Sequence, residues 1–84
     1  MKVRKKKCLV ETTGSIGSNV YTAPDPDEAC RLARRHETFV RLVATKPGLT
    51  GEQAIAQATD FTDKGAGLPG FSIRRVTEVK HVKR

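Results

Sequence analysis

Asp25-Pro26-Asp27-Glu28 opens the strongest structural signal in this chain. Asp at an N-cap accepts a hydrogen bond from an otherwise unpaired helix amide, and proline fits the first helical position. Glu28, three residues after Asp25, completes a capping-box pattern. Ala29, Leu32, Ala33, His36, Val40 and Val43 then recur on one helical face, with Arg31, Arg34, Arg35 and Arg41 on the other side. Asp27 to Arg31 and Glu37 to Arg41 are i,i+4 pairs in the favourable orientation. The pattern predicts a helix from Pro26 to about Lys46, stopped by Pro47-Gly48. A competing reading ends it near Glu37 and makes Phe39–Ala44 a buried strand, which its β-branched residues favour. The lack of Gly, Asn or Pro between Arg35 and Phe39 argues for the long helix.

The rest of the fold must be built around that helix. Before it, residues 3–13 favour a strand, Gly14–Ser18 a turn and Asn19–Thr22 a second strand, giving a hairpin. After it, Thr50 and Gln53 form another capping box, and Leu49 can staple onto Ala54. Ala54, Ile55, Ala58 and Phe61 supply the apolar face of this second helix. Lys64–Gly70 reads as a loop and Phe71–Val82 as a closing strand, although the Val76-Val79-Val82 spacing also fits a helix. The expected class is α/β (α+β type): a small sandwich, a three-stranded mostly antiparallel sheet with two helices on one face, in the order β-β-α-α-β.

Eighty-four residues suit one small basic domain, 1–84, with a modest core. The hydrophobic fraction of 37% is too high for outright disorder and too low for a large enclosed substrate cavity. Two cysteines, Cys8 and Cys30, do not make a disulfide scaffold, and a Cys8–Cys30 bond under oxidation stays open as an alternative. The basic N-terminus is followed by no apolar segment of signal-peptide type, and no apolar run approaches the ~20 residues that cross a bilayer. The expectation is a cytoplasmic protein with no membrane partner.

The charge is unevenly placed. The chain carries a net +7, yet residues 8–73 hold six basic and eight acidic side chains. The excess lies in Lys2, Arg4, Lys5, Lys6 and Lys7 at one end and Arg74, Arg75, Lys80, Lys83 and Arg84 at the other. Concentrated positive charge attracts polyanions, so these ten residues are the expected nucleic-acid-binding set. Charged edge strands that resist aggregation, or basic tails, are the plainer reading of the same residues.

The motifs carry less. Gly65-x-Gly67-x-x-Gly70 matches a dinucleotide fingerprint as a string, but that chemistry needs a strand before it and a helix after it. Here the order is reversed, and a loop is expected. Gly14-Ser15-Ile16-Gly17 reads as turn glycines rather than an anion nest. Gly48-Leu49-Thr50-Gly51, between two helices and after Lys46, resembles the GxxG loop of KH nucleic-acid-binding domains, and the element order is similar to the type II core. That resemblance implies backbone clamping by the loop. The chain departs from it in carrying Leu49 and Thr50 where a basic residue is usual, Ala54 at the following apolar position, and a first helix about twice the KH length. Thr50–Ala56 is similar to the first helix of a helix-turn-helix, but the segment after it breaks into loop instead of a recognition helix.

No catalytic, metal or cofactor signature stands out. His36 is expected as a packed histidine, Asp60 and Asp63 as surface charges, and the histidines and cysteines lack metal-ligand spacing. Tyr21 is the best placed aromatic for base stacking. The leading expectation is a small non-enzymatic nucleic-acid-binding or nucleic-acid-associated regulatory protein that contacts phosphates. The alternative is a compact inhibitor or adaptor, of the kind phages and mobile elements encode, acting on an acidic surface of a host protein. Either could act as a homodimer.

Overall fold

The computed structural model describes residues 6–80, with Lys6 and Lys80 given by their backbone alone. The elements run β1 (Lys6–Gly14), β2 (Gly17–Ala23), α1 (Pro26–Thr45), α2 (Gly51–Asp63) and β3 (Ser72–Lys80). The three strands form one antiparallel sheet in the order β2-β1-β3, so the expected class and element order are observed.

The hairpin is tighter than the sequence implied. Gly14 pairs with Gly17, which leaves Ser15 and Ile16 alone at the tip, and β2 starts at Gly17 instead of Asn19. Gly17 takes φ +88°, a conformation glycine reaches without a Cβ penalty, and this lets the chain reverse within so few residues.

α1 is the long helix, and Phe39–Ala44 lies within it. Asp25 caps it by accepting from the Asp27 amide at 3.2 Å. The expected capping box with Glu28 does not close, because Asp25 engages the second helical amide instead of the third. At α2 the box does close: Thr50 Oγ1 accepts from the Gln53 amide at 3.1 Å, and Gln53 Oε1 accepts from the Thr50 amide at 3.0 Å. β3 is a strand through Val76 and Val79, which disposes of the helical alternative there; Val82 lies outside the described residues.

The core is small. Even-numbered residues of β1 face α1, so Cys8 and Val10 are fully buried against Ala29 and Ala33. Alanine at these two positions lets the helix approach the sheet closely. Tyr21, Ala23, Cys30, Phe71 and Ile73 close the margins. α2 packs on α1 through the buried Ala54 and Ala58 and makes no close backbone approach to any strand. Arg31 of α1 bonds Asp63 of α2, so Arg31 serves the helix pair and not the i,i+4 pair with Asp27. Both cysteines are free thiols, Cys8 buried and Cys30 half-buried.

Among the described residues, no helix covers the opposite face of the sheet. On it lie Lys7, Leu9, Glu11 and Thr13 of β1, Val20 and Thr22 of β2, and Arg75, Thr77 and Val79 of β3. No helix among the described residues is long and apolar enough to cross a membrane.

Candidate nucleic-acid interface

β1 and β3 run antiparallel as neighbours, so the start of one lies beside the end of the other. Lys6 is paired with Lys80, and Lys7 with Val79. The described ends of the two basic segments, Lys6–Lys7 and Lys80, therefore meet at one end of the sheet.

Of the ten expected residues, Lys2, Arg4, Lys5, Lys83 and Arg84 lie outside the described residues. Lys7 is exposed beside the Lys6–Lys80 pair. Arg74 and Arg75 are exposed but do not join it. They sit at the other end of β3, roughly 17 Å away at ~3.4 Å per residue. A register shift between Glu11 and Thr12 falls at this point, with Arg75 opposite Glu11 and Ile73 opposite Thr12, so Arg74 is the bulged residue. Arg75 lies 3.9 Å from Glu11, a long contact between exposed groups that leaves the guanidinium available. Lys7 and Arg75 thus lie on the uncovered face, while the Lys6–Lys80 pair takes helix-side register positions, so the described basic positions flank β1 and β3 on both faces of the sheet.

The hairpin end of the same sheet is built differently. Glu37 is 1% exposed, the bulkiest of the fully buried side chains. Its Oε2 accepts from the Ser15 hydroxyl at 2.6 Å, the Ser15 amide at 3.0 Å and Arg41 Nε at 2.8 Å. Arg41 Nη2 continues to the Pro69 carbonyl at 2.6 Å. One carboxylate so ties the hairpin tip to α1, and through Arg41 to the loop before β3. Burial pushes the Glu37 carboxyl up, but the Ser15 hydroxyl and amide and the Arg41 guanidinium outweigh it, and the net shift is downward. Gly14 makes room for the carboxylate: a Cβ there would stand 2.6 Å from Oε1. The i,i+4 pair with Arg41 was legible in the sequence. Its burial was not, although Glu37 continues the row of Ala29 and Ala33 at four-residue spacing.

His36 is exposed, not packed in the core. Tyr21 Oη lies 2.7 Å from His36 Nδ1, with the rings edge to face at 5.6 Å between centroids. Burial, and secondarily the Glu37 charge, pushes the Tyr21 phenol up, so the hydroxyl stays protonated. The two line an open groove of about 430 Å³ with Arg35, Phe39 and Ile55, formed where α2 stands off the sheet. Tyr21 is therefore on the helix side, away from the uncovered sheet face, which bears no aromatic residue. The GxxG segment carries no phosphate clamp of its own side chains: the Thr50 hydroxyl is engaged in the α2 cap. Among the described residues no cluster of three or more His, Cys, Asp or Glu could hold a metal ion.

No protein-family model matches this chain, and neither the curated proteins nor the solved structures contain a significant match.

Proposed function

We propose that this chain is a small non-enzymatic nucleic-acid-binding protein that contacts the phosphate backbone. The carrying observation is the Lys6–Lys80 register, which brings the described ends of the two basic segments side by side. Lys7 and Arg75 add positive charge on the uncovered face of β1 and β3. The uncovered face offers Thr13, Thr22 and Thr77 as hydrogen-bonding groups and no aromatic platform. This favours backbone contact over stacking on unpaired bases. Lys2, Arg4, Lys5, Lys80, Lys83 and Arg84 complete the proposed set from the sequence.

Purified protein titrated into labelled duplex DNA and RNA at about 50 mM salt should bind, because electrostatic association is strong there. No measurable affinity for either polymer at that salt would overturn the proposal. The inhibitor or adaptor reading is favoured by a different observation: Val43 and Ile55 expose apolar side chains on the helices. On that reading, capture of a protein partner would survive nuclease treatment and weaken on Ile55→Asp, while nucleic-acid binding would be absent.

A further inference from the structure

The two edges of the sheet are unlike. β3 carries Arg74, Arg75, Glu78 and Lys80, and its register with β1 shifts at Glu11/Thr12. Charged side chains and bulges are common means of keeping a strand edge from pairing with another chain. β2 has neither. Gly17–Ala23 contains no charged residue and no proline, and its register with β1 is unbroken. Among the described residues no strand pairs with its outer edge. Val20 on this strand is 60% exposed, more than any other large apolar side chain among the described residues. The groove opens on the same side of the fold: Tyr21 of β2 forms one wall, and Leu32 and Phe39 of α1 with Ile55 of α2 form the others.

We infer that β2 pairs antiparallel with β2 of a second copy about a two-fold axis at Val20, joining two three-stranded sheets into one. The register follows from the strand itself. Opposed residues in an antiparallel pair share a sheet face, so the axis must pass through a residue and not a peptide bond. Gly17 sits at φ +88°, and Ala23 precedes Pro24, which has no amide to donate, so regular pairing is limited to Ser18–Thr22. Val20 is the centre of that segment. An axis there pairs all of it: Val20 with the partner's Val20, Ser18 with the partner's Thr22, and Asn19 with the partner's Tyr21. No charge is set against a like charge, and serine–threonine pairs are of a kind that stabilises facing strands. An axis at Asn19 would run Thr22 into the partner's hairpin tip, and one at Tyr21 would set Ser18 against the partner's Pro24.

A two-fold axis normal to the sheet keeps the helices of both copies on one face. α1 stands over β1 and β2, so the two α1 helices come to lie about two strand spacings apart, or ~10 Å, the distance at which helices pack. The grooves of the two copies then face each other across the axis, and Leu32, Phe39 and Ile55 lose contact with water. The strand edge and the groove are thus two parts of one surface. The inference rests on the β2 edge and stands apart from the nucleic-acid reading, because the Lys6–Lys80 positions lie on β1 and β3, away from the joined edge.

Sedimentation of the full chain without nucleic acid, over a range of concentrations, tests the pairing. A concentration-dependent dimer is expected. Val20→Lys and Val20→Glu should each weaken association roughly tenfold or more, because like charges then meet on the axis. Far-UV circular dichroism should not change, since the Val20 side chain is exposed in the monomer. An equimolar mixture of the two variants should associate again, with opposite charges now facing each other. In a Cys30→Ser background, where Cys8 stays buried, Val20→Cys should form an intermolecular disulfide on oxidation. Residues facing each other on the axis have Cα atoms ~4.5–5.5 Å apart, within disulfide reach. Val76→Lys, on the β3 edge, should leave association unchanged. A chain that is monomeric at every concentration overturns the inference. So does a dimer that survives both Val20 variants, and so does a folded mixture of the two that stays monomeric. A dimer lost in Val76→Lys would move the interface to β3 and overturn it equally.

Discussion

The two ends of β1 solve opposite problems. At the hairpin end a negative charge is buried and fully engaged: Glu37 takes three hydrogen bonds from Ser15 and Arg41. At the other end the backbone register sets one lysine position against another, Lys6 against Lys80. A charge that is buried must be matched on the spot, or the fold loses several kcal/mol. A charge at a solvated strand end costs little and stays available. On the proposed function, the fold's integrity lies at the hairpin end and binding at the basic end, so substitutions at one end should leave the other property largely unmoved.

The largest effect should come from Glu37→Ala. It strands the Ser15 amide and the Arg41 guanidinium, and breaking a buried charged pair costs about 3–5 kcal/mol. Small domains have ~5 kcal/mol in total at the low end, so urea unfolding should show a protein near its threshold. Gly14→Ala attacks the same contact sterically, with its Cβ 2.6 Å from Glu37 Oε1, and overpacking of this kind costs about 1–3 kcal/mol. Asp25→Ala removes the α1 cap and should cost about 1 kcal/mol. Arg31→Ala, which breaks an exposed bridge to Asp63, should shift the unfolding midpoint least, by well under about 1 kcal/mol.

Acidity sharpens the same contrast. The Glu37 carboxyl is held below its ordinary value in the folded state. Its contribution to stability is therefore complete above the unfolded-state value of about 4.3 and is lost as pH falls through the lower folded-state value. Melting temperature should fall from pH 5 to pH 3, and that fall should be shallower in Glu37→Gln than in the native chain. An identical acid slope in the two would mean that the hairpin clamp is not what acid releases.

The same division explains what the sequence could announce. α1 was legible because its signals are local: Asp25 and Pro26 at one end, Pro47-Gly48 at the other. α2 was legible through the Thr50–Gln53 box. Glu37 was not legible as a buried group. The four-residue row Ala29–Ala33–Glu37 aims its side chain at the sheet, but that the Ser15 amide and hydroxyl wait there is a tertiary relation the helix spacing does not encode. His36 and Val43 were placed on the apolar face, and both are exposed. For His36 the reason is that α2 packs on α1 and leaves a groove beside Tyr21. For Val43 it is that α1 continues past the hairpin tip, which is fixed at Glu37. The Asp25–Glu28 pattern matched a capping box that does not form, since a side chain as short as Asp can satisfy the nearer amide.

The most direct measurement is the salt dependence of nucleic-acid affinity for the native chain and for the Lys5→Gln, Lys6→Gln, Lys7→Gln triple variant, with thermal stability recorded on the same samples. Each duplex phosphate neutralised contributes about 0.9 to the slope of log affinity against log salt. The account predicts a steep slope for the native chain and a slope lower by roughly one per effective contact in the variant, across all sequences alike, with the melting temperature little changed. A variant that keeps the native slope, or that loses binding only because it has unfolded, would contradict the assignment of binding to the basic end.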